Sequence, residues 1–212
     1  MHPNPIYRQT EAERSLEFAL AAGFGQIMVS ADPVPLVAHI PFLQGQQGDE
    51  IELHLVRSNP IARLLQKIQT PAKLSVSGPH GYISPDWYGV KDQVPTWNYV
   101  AVHLSGTLRM LKHDQLLAFL DRLSAHFEAQ LAPKPARKSS KMTPEVLQKM
   151  LRQIVPCSFK IEDIQSTWKL NQKKDMSRLA AADAVEQTGV GSETIALAAL
   201  MRAAEGSNHS HD

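Results

Sequence analysis

From residue 96 onward the stretch 94–106 (VPTWNYVAVHLSG) alternates strictly. Thr96, Asn98, Val100, Val102 and Leu104 fall on one face, and Trp97, Tyr99, Ala101, His103 and Ser105 on the other. A period of two is that of a strand, and this one is long enough to be central. Neither face is wholly apolar. Trp97, Tyr99 and His103 together predict a second surface on that side, either a partner subunit or a planar ligand. Gly106 falls where a barrel strand bends or bulges.

The rest of the chain is punctuated in the same way. Thr10 and Glu13 form a capping box that opens a helix with Leu16, Ala19, Leu20 and Gly23 on one face. Gly23 or Gly25 ends it. Strands are predicted over 26–30, 35–43 and 50–56, joined by short turns into a meander. In the second of them Leu36, Ala38, Ile40 and Phe42 face one way, and Pro41 marks an edge or an interrupted ladder. Asn59-Pro60 caps a helix carrying Ile61, Leu64, Leu65 and Ile68 as far as Thr70. A strand over 72–77 leads into a loop-rich stretch, 78–92, in which Tyr82, Trp87 and Tyr88 sit among turn formers. Aromatics in so polar a loop predict that it packs down or covers a site. With a continuation over 107–111, about six strands are expected in the first 111 residues.

The second half turns helical. Residues 114–131 carry an apolar stripe of Leu116, Leu117, Leu120, Leu123 and Phe127. A basic linker, 132–141, precedes a helix with Leu147, Met150, Leu151 and Ile154 at helical spacing. A strand is expected over 157–161, followed by a polar stretch, 163–174, with a tryptophan and three lysines. Short helices are expected over 175–186 and 192–204, and a disordered tail over 206–212.

Composition narrows the function classes. At 43% hydrophobic and 20% charged, the 212-residue chain has the make-up of an ordinary globule. A formal charge of +1 points neither to nucleic acid nor to an acidic partner, although charge is uneven. The segment 133–152 has six basic residues against Glu145, and 180–212 has five acidic ones against Arg202. The single cysteine, Cys157, excludes an internal disulfide and fits a reducing cytosol. No apolar run approaches the roughly 20 residues of a membrane span, and residues 1–9 lack the apolar core of a signal peptide. A cytoplasmic protein without membrane contact is expected.

Candidate chemistry is sparse. Nine histidines give no local zinc motif. His39 and His54 are able to meet in space, against the commoner reading of structural histidines. No Gly-x-Gly-x-x-Gly, Walker A or Gly-x-Ser-x-Gly occurs, so no catalytic residue is assigned. Arg57-Ser58-Asn59-Pro60 is more informative, because it follows a strand and opens a helix, where N–H groups and a guanidinium can hold a phosphate. An ordinary N-cap with a solvent-facing arginine is the competing reading. Lys169, Asn171, Gln172 and Lys173 offer further donors, and Trp97 and Asn98 a flat surface and an amide for a heteroaromatic ring. These pieces fit a phosphate-bearing planar cofactor.

The segments HIPFL (39–43), RSNP (57–60), GPHGYISPDWY (78–88), VPTWNYVAVHLSG (94–106) and WKLNQKK (168–174) resemble the PaiB family of FMN-binding negative transcriptional regulators. The likeness runs from about residue 6 to about residue 186. It implies a mainly β, α+β fold, an FMN-binding split β-barrel of the pyridoxamine-phosphate-oxidase type with peripheral helices. The barrel would occupy 1–186, with a helical insertion at 113–155, and a C-terminal helix and disordered tail would fill 187–212. It further implies a homodimer with flavin sites at the interface and a link to repression of sporulation and degradative-enzyme genes. The cofactor-binding set implied is Arg57, Asn59, Tyr82, Ser84, Trp97, Asn98, Lys169, Gln172 and Lys173. The chain departs from the family where members read AxxNP and KLSQN, which bears on the phosphate contacts. No helix-turn-helix is visible, so a DNA or regulatory-protein partner rests on the resemblance alone. The same fold hosts flavin reductases and related oxidases, so a flavin-dependent oxidoreductase is the alternative.

Overall fold

The computed structural model describes residues 1–204, apart from the side chains of residues 175 and 176. The stretch 206–212, read above as disordered, lies outside the described residues. Among the described residues the strands are β1 (Phe24–Val29), β2 (Leu36–Gln44), β3 (Glu50–Val56), β4 (Thr70–Ile83), β5 (Thr96–Met110), β6 (Ile154–Lys169) and β7 (Gly191–Ser192). The helices are α1 (Ala12–Ala22), α2 (Pro60–Leu65), α3 (Leu116–Ala129), α4 (Pro144–Leu151), α5 (Asp175–Thr188) and α6 (Thr194–Ala203). The sheet is antiparallel with the order β1-β2-β3-β6-β5-β4-β7, and β1 also pairs with β4. Six strands therefore close on themselves, which leaves no open edge in that ring. This is the expected α+β barrel.

The chain divides into two compact units. One comprises Ala19–Ser75 and Leu104–Asp163; the other comprises Met1–Phe18, Val76–His103 and Ile164–Asp212. In the first, alternating positions of β1, β2 and β3 fill the barrel. Ile27, Phe42, Ile51, Leu53 and Phe159 are among its fully buried side chains, each contributing about 1.5–3 kcal/mol. Pro41 marks an interruption, as expected. β2 pairs with β1 through Leu36 to Pro41 and with β3 only from Phe42 onward, so the missing N–H falls where the partner changes. Gly23, at φ +59, ends α1. Gly106 is a close approach: a Cβ there would lie 1.9 Å from the Lys160 carbonyl oxygen.

Helices α3 and α4 of the same unit bury a separate cluster of Leu116, Phe119, Leu123 and Leu151. Phe119, missed by the sequence stripe, is the bulkiest of these, and His54 lies beside it with ring centroids 6.1 Å apart. The strand β3 also carries ion pairs on its other residues. Arg109 donates to both Glu50 carboxylate oxygens, at 3.0 and 3.2 Å, and Arg122 pairs with Glu52.

In the second unit α5 and α6 pack with Ile83, Tyr88, Val100, Trp168 and Leu170 into one core. Ser15 is a polar residue that is fully buried. It donates to Ser166 Oγ at 2.8 Å and accepts from Trp168 Nε1 at 3.3 Å, which satisfies its hydroxyl.

Four expectations of local structure change. The stretch 78–83 is strand rather than loop, because His80 and Gly81 pair with Ser192 and Gly191. Its glycines serve packing, and a Cβ at Gly78 would meet Phe18 at 2.5 Å. The polar stretch beyond 163 is the continuation of β6 as far as Lys169. Strand pairing there overrides an exposed middle section that shows no apolar alternation. Helix α2 stops at Leu65, short of Thr70, leaving Ile68 63% exposed. Residues 96–110 form one strand rather than two, so five strands precede α3.

Candidate functional site

The regular start of β5 decides how Trp97 and Asn98 lie. Burial alternates from Thr96 to the end of the strand. Trp97 is 45% exposed, tilted against the His80 ring with centroids 5.8 Å apart. Asn98 points the other way and is fully buried, its Nδ2 donating weakly to Met201 Sδ at 3.5 Å. Its Oδ1 has no partner. A flat ligand on the Trp97 side therefore does not meet the Asn98 side chain, and the pairing of their side chains around one ring is dropped.

Beside Trp97, Thr96 accepts a hydrogen bond from Lys169 Nζ. Burial lowers the Lys169 ammonium from its ordinary value, and the ammonium stands 6.0 Å from the centroid of Tyr7. The His2 imidazole is lowered too, first by burial and then by the positive charges of Lys169, Arg8 and Lys173. These cations thus share one neighbourhood within the second unit. Lys174 stands 3.6 Å from the Tyr88 ring centroid and donates to Gln93 Oε1, so it holds the turn over 84–95.

Two other expected contacts are occupied locally. Ser84 Oγ accepts from Asp86 N at 3.4 Å and caps the 3-10 turn Pro85–Tyr88. Gln172 Oε1 accepts from Leu170 N at 2.9 Å, while its Nε2 donates to the Trp168 carbonyl. Lys173 is exposed and Tyr82 half-buried. Asn171, at φ +65, accepts a 3.4 Å hydrogen bond from Tyr88 Oη through Oδ1 and leaves Nδ2 buried without a partner.

Arg57 and Asn59 belong to the first unit. Asn59 Oδ1 accepts from Ile61 N at 2.9 Å, so it is the N-cap of α2. Arg57 donates from Nε to the Arg152 carbonyl at 2.8 Å and from Nη2 to the Ile154 carbonyl at 3.3 Å. It lines an open cleft of about 650 Å³ together with Ser58, Arg63, Gln66, Arg152 and Gln153. The sequence reading singled out Arg57 but not Arg63 or Arg152. Arg63 stands one helical turn beyond Asn59, and Arg152 registered only as part of a basic segment.

Residues 1–163 match the family described as "Putative FMN-binding domain". The chain belongs to this family. FMN is the cofactor that membership assigns. A relative, Protease synthase and sporulation protein PAI 2 of Bacillus subtilis, is 31% identical over 177 residues, which span 82% of this chain and 84% of that one. The PaiB likeness carried by the motifs is therefore borne out. Two solved structures share the fold. The FAD and heme binding protein from Mycobacterium smegmatis superposes with a TM-score of 0.55 at 21% identity, over 77% of this chain and 73% of that one. The flavocytochrome Anf3 from Azotobacter vinelandii does so with a TM-score of 0.52 at 14% identity, over 79% and 72%.

The residues present suit such a group. In the first unit a cleft is lined by three guanidiniums and, among the described residues, by no carboxylate, a donor set matched to phosphate. In the second, an exposed indole lies next to a partly desolvated lysine hydrogen-bonded at Thr96, a surface suited to a planar, electron-poor ring. Among the described residues no group of three His, Cys, Asp or Glu is placed to hold a metal ion. Nor is any described helix long and apolar enough to cross a membrane.

Proposed function

We propose that this chain binds FMN as a homodimer and works as a flavin-dependent regulator of gene expression. The observation that carries the flavin part is the family match over residues 1–163. When bound, FMN supplies a redox-active ring. The candidates that keep an exposed functional surface are Arg57 in one unit, and Trp97 and Lys173 in the other, with Lys169 partly buried. Ser84, Asn59 and Gln172 act as supports, since their side chains fix local backbone. Tyr82 is a candidate for lining the site, and Asn98 belongs to the interior on the opposite face of the strand.

The homodimer reading rests on the outward face of β5, where Trp97, Tyr99, Ala101 and His103 stay exposed or half-exposed. An aromatic strand face of this kind suits a second copy of the chain. The regulatory reading rests on the likeness to the sporulation protein PAI 2. With a formal charge of +1, regulation through a partner protein fits better than a broad electrostatic grip on DNA.

The test is to purify the protein, record its visible absorbance and its mass in solution, and then assay two outputs. A yellow dimer that alters transcription from a target promoter, directly or with a partner, and does not consume NAD(P)H matches the proposal. A colourless monomer overturns the flavin and dimer readings. FMN-dependent NAD(P)H oxidation without any effect on transcription assigns the reductase activity instead.

A further inference from the structure

A second cleft, of about 820 Å³, lies at the opposite end of β3 from Arg57. The extended strand puts about 20 Å between its two ends, and the two clefts share no residue. Glu50 and Glu52 alternate with the buried Ile51 and Leu53, so they point out of the barrel and floor the second cleft. Arg109 reaches it from the end of β5 and Arg122 from α3. Ala118, one turn before Arg122 on the same side of α3, offers only a methyl group to the wall.

The cleft carries three acids, Glu50, Glu52 and Asp114, and three bases, Arg109, Lys112 and Arg122. Four of them are fixed in pairs on the floor. Arg109 donates to both oxygens of Glu50, at 3.0 and 3.2 Å, and the fully buried Ser158 donates to Glu50 Oε2 at 2.8 Å. Arg122 pairs with Glu52. Both carboxylates are 15% exposed, but the guanidiniums are 42% and 35% exposed. The acid oxygens are therefore sunk, and the arginines face the opening. Arg109 spends two of its five N–H donors on Glu50 and Arg122 one on Glu52, so both keep donors on guanidiniums of fixed orientation. Lys112 and Asp114 stand at the rim, exposed and, among the described residues, without an ion pair. Their segment is tied down, since the Leu111 N–H donates to the Pro156 carbonyl at 2.9 Å and the Gln115 N–H to the Lys112 carbonyl at 3.1 Å.

This pattern of charge selects its ligand. A dianion would find the spare arginine donors but would lie against the carboxylates of Glu50 and Glu52. A lone cation would find Asp114 but would meet Lys112 and two guanidiniums. A molecule with one carboxylate and one ammonium group satisfies both signs at once and adds no net charge to a wall whose own charges balance. We propose that this cleft binds a small zwitterion of the amino-acid class, its carboxylate on Arg109 and Arg122 with Lys112 in support, and its ammonium on Asp114. The side-chain amides of Gln46, Gln47 and Gln115 border the space between the two ends. The inference goes beyond the flavin reading and does not rest on it.

The test uses the full chain and calorimetry. The probes are glycine, γ-aminobutyrate and ε-aminocaproate, whose charged ends are progressively further apart, with acetate and methylammonium as single ions. At least one zwitterion is expected to bind about ten-fold more tightly than either single ion and to shift the side-chain amide signals of the three glutamines. Asp114→Asn and Lys112→Gln are each expected to weaken it about ten-fold, with melting temperature and FMN affinity unchanged, since both positions are exposed. If no zwitterion outbinds the single ions, or if either variant leaves its affinity unchanged, the site is overturned. A loss of FMN affinity in either variant assigns the cleft to the flavin and overturns it too. A chain that meets these expectations for the zwitterion yet binds no flavin keeps this site and fails the flavin reading alone.

Discussion

Trp97 and Asn98 are consecutive residues on β5 that face opposite environments. The indole is 45% exposed beside His80, whereas the amide is fully enclosed next to Met201. The pleat imposes this separation as soon as the strand is regular from its first residue, and it leaves the indole on the surface while the amide belongs to the interior.

Replacing Trp97 with Ala is expected to weaken flavin binding about ten-fold or more with little change in melting temperature, since an exposed ring contributes little to the core. Replacing Asn98 with Val is expected to raise stability by about 1 kcal/mol, because an unpartnered buried carbonyl disappears and a strand-favouring side chain replaces it. Urea unfolding and flavin titration on both variants check the pair. Reversed effects would return Asn98 to the ligand site.

Gly106→Ala is expected to destabilise the barrel by roughly 3 kcal/mol or more, since the new Cβ would overlap the Lys160 carbonyl oxygen at 1.9 Å. Neither atom is the movable end of a side chain, so backbone has to shift. A thermal melt suffices to test this, and a melting temperature within two or three degrees of the parent would contradict it.

His54 makes stability depend on pH. Burial holds its imidazole below the ordinary value, and Nδ1 has no partner. The folded state therefore resists protonation that the unfolded state accepts. This contribution is complete above the unfolded histidine value of about 6.5 and is lost as pH falls through the lower folded value. His54→Leu is expected to flatten the stability profile below about pH 6.5, read from denaturant midpoints at successive pH values. An unchanged slope would remove His54 as the cause.

Cys157 is fully buried, and burial pushes its thiol up to about 12. At mildly alkaline pH it is expected to resist aromatic disulfide reagents in the native protein and to react fully once unfolded. Rapid labelling of the folded chain would show that β6 opens far more readily than its buried pairing with β3 implies.

The sequence by itself determined the strands and helices whose burial is one-sided. The alternation in β3 and β5, the Asn59-Pro60 start of α2 and the stop at Gly23 were all legible, because each is a local rule of pleat, cap or backbone angle. The family motifs made the flavin fold legible as well. Hidden from the pattern were β4 beyond Ser77 and β6 beyond Asp163, where pairing with distant strands, not side-chain alternation, holds the backbone extended. The candidate site divides along the same line. Arg57, Trp97 and Lys169 stood out as residue types in motifs, but Asn59 and Ser84 proved to be caps whose oxygen atoms are spent on local backbone. Arg63 and Arg152, 89 positions apart in the chain, become neighbours around Arg57 only in the folded unit. That meeting is set by long-range pairing of β3 with β6. Such pairing is a property of the whole sheet, which no local window of residues contains.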